Sequence, residues 1–395
     1  MQTVVLAAGE GTRMRPLTDR RPKPTLPVAG RPLISHVLGA AAEAGASRFV
    51  LVVGYRADAV REHVGDAVAG IPVEYVRQEP QRGTADAVRT AGPALEDAPF
   101  VVLAGDNLYD AGTLAALYER APAVGAFEVE DPRPYGVFEL EGDRVTGVIE
   151  KPDDPPSKRV NVSAYAFEAR ARGWLEAVEE SERGEYELTD VLARQIDAGG
   201  VRAVTFERWL DVGRPWELLA ANEWKLGELD RDLSGEVHDD AELLGDVVVE
   251  PGATVRRGVT VEGPALIAAG AEVGPNAYVR GTTAVGEGAK VGHAVEVKNS
   301  VLMAGATAGH LAYVGDSVLG REVNLGAGTT VANLRHDGDP VELTVKGERA
   351  STGRRKFGVV MGDGARTGID TSLNAGVTLS TDARTDPGEA VTRDR

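Results

Sequence analysis

Two stretches of this sequence hold residue types whose spacing can support chemistry. The first is Leu6-Ala7-Ala8-Gly9-Glu10-Gly11-Thr12-Arg13-Met14, with Lys23-Pro24 soon after. Small residues behind an apolar run let backbone N–H groups approach phosphate oxygens closely. The third Gly of the dinucleotide fingerprint is absent and no Gly-Lys-Ser/Thr follows, so neither that fingerprint nor a P-loop is present. A Gly-rich loop alone reads as a turn; Arg13 and Lys23 add the fixed positive charge that anion chemistry needs. The second stretch is Ala308-Gly309-His310-Leu311-Ala312-Tyr313-Val314-Gly315-Asp316. His310 is one of 6 His and interrupts an otherwise regular repeat. An imidazole titrating near neutrality can take a proton from an attacking amine, although a lone His is more often structural or simply exposed.

Composition limits what these residues can serve. The chain has 395 residues and 43% apolar content, enough for two full cores. It has no Cys, which excludes disulfides, thiolate metal sites and a Cys nucleophile. Its 61 acidic and 43 basic residues give a net charge of −18. That field repels nucleic acid and anionic membranes, so any phosphate site must gather its own cations. No apolar run is long enough to span a bilayer, and the N-terminus opens into a strand rather than a signal peptide. The expected location is the cytoplasm.

The elements that must hold these residues follow two different periods. In residues 1–210 the apolar runs Thr3–Ala8, Phe49–Val53, Val73–Val76 and Phe100–Ala104 read as strands. Between them Pro32–Ala44, Ala57–Val64 and Thr84–Ala91 read as helices, the pattern of a mainly parallel sheet covered on both faces. Ligands bind such sheets at the carboxyl ends of the strands. Pro215–Leu229 reads as one more helix. The acidic stretch 230–242 reads as a linker between a domain at 1–229 and one at 243–395.

The second half is built on six. Val249, Val255, Val261, Ile267, Val273, Val279, Val285, Val291 and Val297 recur without a gap, and Met303 extends the series. The phase then slips; Leu319, Leu325 and Val331 resume it, and Met361, Thr367, Leu373 and Leu379 close it. With Gly dense between these positions, the period predicts a parallel β-helix of hexapeptide repeats with the series pointing inward. Arg335–Phe357 is too long and polar for a coil and is expected to project.

The first stretch resembles the signature of sugar-phosphate nucleotidyltransferases, the family of glucose-1-phosphate thymidylyltransferases and N-acetylglucosamine-1-phosphate uridyltransferases. The resemblance covers the N-terminal half and implies a Rossmann-like α/β fold. It places Leu6, Ala7, Ala8 and Gly9 on the nucleotide, with Gln78, Gly83 and Thr84 of Gln78-Glu-Pro-Gln-Arg-Gly83-Thr84 on the base. Gly136, Glu150 and Asn161, with Tyr135 and Lys151 beside them, fall on the sugar series. Asp106 and Asp211, the latter in Trp209-Leu210-Asp211-Val212-Gly213, fall where the family holds Mg²⁺. The chemistry is consistent: transfer at an α-phosphorus is mostly positioning and charge neutralisation. Arg13 can clamp a triphosphate, and Lys23 can act as a point charge between the two phosphates.

The second stretch resembles the acetyltransferase domain of bifunctional uridyltransferase/glucosamine-1-phosphate acetyltransferases, the GlmU family, which implies a left-handed β-helix. It implies His310 as general base, with Arg280, Lys298, Tyr313, Asn324 and Asn333 on the sugar phosphate and Ala327 and Lys356 near acetyl-CoA. The basic end of the insertion, Arg354-Arg355-Lys356, is expected at coenzyme A phosphates. The expected partners are UTP or dTTP, a sugar 1-phosphate and acetyl-CoA, in a homotrimer or a multiple of it. Two other readings remain at this stage: a thymidylyl- or uridylyltransferase whose β-helix only oligomerises or regulates, and a nucleotide-sugar sensor. The first lacks a use for His310 and its companions; the second lacks one for Arg13, Lys23, Asp106 and Asp211.

Overall fold

The computed structural model describes residues 1–395. The chain divides into two compact units. One comprises Met1–Glu10, Pro22–Thr25 and Pro32–Asp211, the other Gly11–Arg21, Leu26–Arg31 and Val212–Arg395.

The first unit is built on a ten-stranded sheet. Its central strand Gln2–Ala7 lies between Arg48–Val53 and Phe100–Ala104, parallel to both, and Ile71–Arg77 pairs in parallel beyond Arg48–Val53. These four are the apolar runs expected as strands. The remainder of the sheet is mixed: Arg159–Phe167 runs antiparallel to both Phe100–Ala104 and Ala123–Glu128. Val201–Thr205 in turn pairs in parallel with Ala123–Glu128, so most strands run in one direction, as expected, with antiparallel strands between them. Alternation along the central strand feeds two cores, Val5 packing with Ile34, Val37 and Phe49 on one face and Val4 with Val50, Val88 and Phe138 on the other. Helices Ala57–Val64 and Thr84–Ala91 fall where the sequence places them, and Pro32 opens helix Leu33–Glu43.

The second unit is a parallel β-helix of three ladders. The members of the six-residue series from Val249 to Val297 all enter one continuous core. Parallel register stacks each on its equivalent one coil away, as Val249 on Ile267 and Val261 on Val279. Two expectations change here. Met303 does not point inward; Leu302 does, stacking on Val285 and then Leu319. From Val285 to Thr330 the coils repeat every 17 residues rather than 18. The slip therefore falls between Val297 and Leu302, one repeat earlier than the series suggests; beyond the insertion the step is again 18. The acidic stretch 230–242 is no linker. Asp232–Leu233, Glu236–Val237 and Glu242–Leu244 pair with Val247–Val249, Thr254–Val255 and Thr260–Glu262, completing the first coil. Its outward side chains are acidic because they face water.

The three outer faces differ in chemistry. Two ladders expose polar residues, such as Thr254, Glu272 and Lys290 on one and Thr260, Tyr278 and Glu296 on the other. The third turns Leu266, Ala284, Val301, Val318 and Val360 outward, and all are buried. An apolar sheet face must be covered. Leu226 of helix Pro215–Leu226 and Ala29 pack on Leu266, Ala268 and Ala284. Gly30, at φ +77°, lets backbone lie on Leu266, whose Cδ2 would sit 2.6 Å from an added Cβ. This cover explains why segment 26–31 and the helix belong with the β-helix rather than with 1–229.

Residues 335–357 form a hairpin, Glu342–Val345 against Glu348–Ser351. Val341 and Leu343 are buried and Gly376 lies against Glu342, so its base is packed rather than free. Leu302→Ala is expected to lower the unfolding free energy by about 2–5 kcal/mol, the cost of an unfilled core position. An unchanged urea midpoint would place Leu302 outside the prism.

Candidate active sites

In the first unit the strand ends form a floor of backbone. Leu6 O accepts from Gly105 N at 2.8 Å, and Ala8 O accepts from Tyr55 N at 3.1 Å and from Gln81 Nε2 at 2.5 Å. The approach needs glycine on both flanks. A Cβ on Gly54 would come 2.8 Å from Ala8 O, and one on Gly105 would come 2.7 Å from Leu6 O. Gly9 has open space around it. Gly54 escaped the sequence reading, although a Gly directly behind an apolar strand is its signal.

Gln78 is buried, and its main-chain N–H donates to Val53 O at 2.9 Å. Its Nε2 donates to Gly83 O at 3.1 Å and to the Asp86 carboxylate at 2.8 Å. Both amide hydrogens are thus used and Oε1 is left as the acceptor. Gly83, at φ +111°, lies so near Tyr186 that a Cβ would meet its N at 2.7 Å. Thr84 opens helix Thr84–Ala91 and its hydroxyl accepts from Leu188 N at 3.0 Å. Asp86, the residue that orients Gln78, was not singled out in the sequence.

Lys23 sits in the short 3-10 turn Lys23–Thr25, is buried, and forms an ion pair with Asp106. Asp106 follows strand Phe100–Ala104 and precedes Asn107–Tyr109. That short strand pairs antiparallel with Trp209–Asp211, with Asp211 opposite Asn107. The register therefore brings the two candidate metal carboxylates, 105 residues apart in the chain, to adjoining positions of one ribbon. No third His, Asp or Glu joins them in a metal-sized cluster. Two carboxylates with room for phosphate oxygens suit Mg²⁺, which keeps several non-protein ligands. Arg13, in the second unit, lies beside Gly213: its Nη2 would be 3.3 Å from an added Cβ there. Glu217 accepts from Gly213 N at 2.8 Å and pairs with Arg214 at 3.0 Å.

The sugar series converges. A Cβ on Gly136 would lie 2.9 Å from Glu150 Oε2, 3.5 Å from Asn161 Cβ and 3.7 Å from Thr189 Cγ2. Asn161 is fixed by donating to Tyr165 Oη at 2.7 Å and accepting from Ser163 N at 2.9 Å. Burial pushes the Glu150 carboxyl up; Lys151 opposes this and the Glu187 charge adds to it. Thr189, beside Gly136, and Glu187, whose charge acts on Glu150, are neighbours that the sequence reading missed.

On the β-helix, Arg280 and Lys298 stack in register on adjacent coils of one ladder. Arg280 pairs with Glu296 at 2.8 Å, a contact that holds its guanidinium charged. Lys298 Nζ reaches Asp316 at 2.7 Å. Asp316 is buried and also accepts from Asn299 Nδ2 at 2.9 Å and Asn333 Nδ2 at 2.5 Å. Asn333 donates to Tyr313 Oη at 3.3 Å, and Gly315 leaves the room for both side chains. Burial, then Glu296 and Asp316, raise the Tyr313 phenol. Two expected sugar-phosphate residues, Lys298 and Asn333, thus meet at Asp316, with Tyr313 linked through Asn333; Asp316 stands in the His310 stretch but was given no role there. His310 and Asn324 lie on the neighbouring ladder, His310 in register with His293, and Ala327 follows at the corner, where its carbonyl accepts from Asp370 N at 2.8 Å. Lys356 bridges to Leu334 at the foot of the hairpin. Arg354 is engaged elsewhere, paired with Glu223 of helix Pro215–Leu226, so the expected basic cluster is reduced to exposed Arg355 and Lys356.

Comparison with known proteins places these sites in a family. The nucleotidyl transferase family model matches residues 2–226, and a model described as a GMPPB C-terminal domain matches residues 261–362. "Bifunctional protein GlmU" of Methanocaldococcus jannaschii is 36% identical over 95% of this chain and 91% of its own length. A "bifunctional sugar-1-phosphate nucleotidylyltransferase/acetyltransferase" of Sulfurisphaera tokodaii is 36% identical over 100% of this chain and 98% of its own. Among solved structures, a glucose-1-phosphate thymidylyltransferase of Bacillus anthracis shares the first fold, with TM-score 0.53 and 24% identity over 57% of this chain and 94% of that one. The chain belongs to the nucleotidyl transferase family and, by similarity along nearly its whole length, to its bifunctional sugar-1-phosphate nucleotidylyltransferase/acetyltransferase branch.

Proposed function

We propose that the chain acetylates glucosamine 1-phosphate with acetyl-CoA on the β-helix and couples the product to UTP in the N-terminal half, giving UDP-N-acetylglucosamine and pyrophosphate. The observation that carries this reading is a pair of separate cationic centres in a chain of net charge −18, Lys23 against Asp106 and Arg280 stacked on Lys298. Each suits a phosphate-bearing substrate.

In nucleotidyl transfer Gln78 offers Oε1 to the N3–H of a pyrimidine, while Asp86 and Gly83 O hold its amide in that sense. This acceptor suits uracil and thymine alike, so UTP and dTTP share it. The backbone after Gln2–Ala7 faces the phosphates, and Glu150 and Asn161 take sugar hydroxyls. The sugar phosphate is already an adequate nucleophile. Lys23 neutralises it and the α-phosphate, and Arg13, by its place in the signature, stabilises leaving pyrophosphate. Asp106 and Asp211 would hold Mg²⁺, which would supply charge neutralisation on the triphosphate.

In acetyl transfer Arg280 and Lys298 take the sugar phosphate, with Tyr313, Asn324 and Asn333 fixing the ring. The substrate amine attacks the thioester carbonyl as His310 takes its proton, and coenzyme A leaves as the thiol. Ala327 and Lys356 border the coenzyme. Because His310 and Asn324 lie on a different face from Arg280 and Lys298, a site completed by a second copy accounts for both groups, in a homotrimer or a multiple of it.

Asp106→Asn and Asp211→Asn are each expected to abolish pyrophosphate release and leave acetyl transfer intact; near wild-type pyrophosphate release in both variants would remove the metal assignment. His310→Ala is expected to slow thiol release from acetyl-CoA roughly 100- to 10,000-fold, the range for a lost general base, with nucleotidyl transfer unchanged. Light scattering is expected to give three chains or a multiple; a monomer that still acetylates would contradict the shared site.

A further inference from the structure

Between Arg13 and Lys23 the chain runs through Arg15, Arg20 and Arg21. Arg21 is 5% exposed, a rare position for a guanidinium. Its Nη2 meets Asp363 Oδ2 at 2.5 Å and its Nη1 meets Met303 Sδ at 3.6 Å, while its Nε has no partner. Asp363, itself 6% exposed, follows strand Val360–Met361 and uses Oδ1 to accept from Arg321 N at 2.9 Å. Nearby, Arg20 pairs with Asp382 and the Asp19 carboxylate accepts from the Thr381 hydroxyl at 2.9 Å. Pro16 lies against Gly362, where a Cβ would meet it at 2.9 Å. The other end of the loop is closed by Thr18 Oγ1 donating to Gly11 O at 3.0 Å. Arg13 sits inside that closure.

A buried ion pair is a poor source of stability, because desolvating two charges costs about as much as their attraction returns. What it supplies is direction: Asp363 admits a single placement of Arg21. We propose that Asp363, outside both reaction sites, is a positioning residue for nucleotidyl transfer: by holding Arg21 it fixes the loop that carries Arg13. The rate of the N-terminal reaction is then set in part by the β-helix. This rests on the reading of Arg13 as the group that stabilises leaving pyrophosphate.

The test uses full-length Asp363→Asn, which keeps an acceptor for Arg321 N and removes the charge facing Arg21. Pyrophosphate release at saturating substrates is expected to fall roughly ten- to a hundredfold, as for a misplaced catalytic group, with KM for the sugar phosphate unchanged and acetyl transfer at wild-type rate. Arg21→Gln, which leaves Asp363 on Arg321, is expected to do the same and serves if the first variant fails to fold. In an Arg13→Ala background, Asp363→Asn is expected to add nothing, because it acts through that residue. Wild-type kcat in both variants, while Arg13→Ala alone is impaired, would overturn the proposal. So would a loss that includes acetyl transfer, or one that persists undiminished beside Arg13→Ala. If Arg13→Ala itself is harmless, the fault lies in the reading of Arg13.

Discussion

Cations of the two candidate sites, and Arg21 close to Lys23 in sequence, sit against carboxylates. Lys23 faces Asp106, Lys298 faces Asp316 at 2.7 Å, Arg280 faces Glu296 at 2.8 Å and Arg21 faces Asp363 at 2.5 Å. A chain of net charge −18 that handles phosphorylated molecules has to concentrate positive charge where substrate lies. A buried cation with no partner is costly, and removing one member of such a pair costs about 3–5 kcal/mol. The acids therefore fix where each cation stands. Because the same charge that orients a lysine also competes with phosphate for it, the pairs set geometry more than affinity.

That constraint explains why Asp316 is the centre of the β-helix site. It is buried, and its oxygens accept from Lys298, Asn299 and Asn333. Asn299 also donates to Glu223 at 2.9 Å, and Glu223 pairs with Arg354 at the foot of the hairpin. A hydrogen-bonded path thus runs from the hairpin through helix Pro215–Leu226 to Lys298 and Asn333. The hairpin is anchored by this path and by its own packing against Gly376. Of the basic cluster at its end, Arg355 and Lys356 stay exposed.

The second constraint is the apolar outer ladder. Leu266, Ala284, Val301, Val318 and Val360 would give an exposed greasy stripe on a bare prism. Leu226 of helix Pro215–Leu226 and Ala29 of segment 26–31 cover the Leu266–Ala284 part of that stripe, and both fall in the same compact unit. No helix of the protein is long and apolar enough to cross a membrane. The prism and its cover are one packing problem.

The sequence by itself determined what repeats locally. The four parallel strands at the sheet centre, helices Ala57–Val64 and Thr84–Ala91, and the inward valines from 249 to 297 were legible because alternation and a six-residue period are written along the chain. The candidate residues were legible as motifs, in their order. Tertiary structure decided what depends on partners. It chose Leu302 over Met303, because coils of 17 residues match Val285 to Leu302 and leave Met303 beside Arg21. It turned the acidic stretch 230–242 into a coil, because pairing with the next coil outweighs a composition that suits water-facing positions. It also supplied Asp86, Asp316 and Asp363, carboxylates that hold Gln78, Lys298 and Arg21 from 8, 18 and 342 residues away along the chain. A contact of about 3 Å in space leaves no period in a sequence, so only the fold could reveal which acid holds which base.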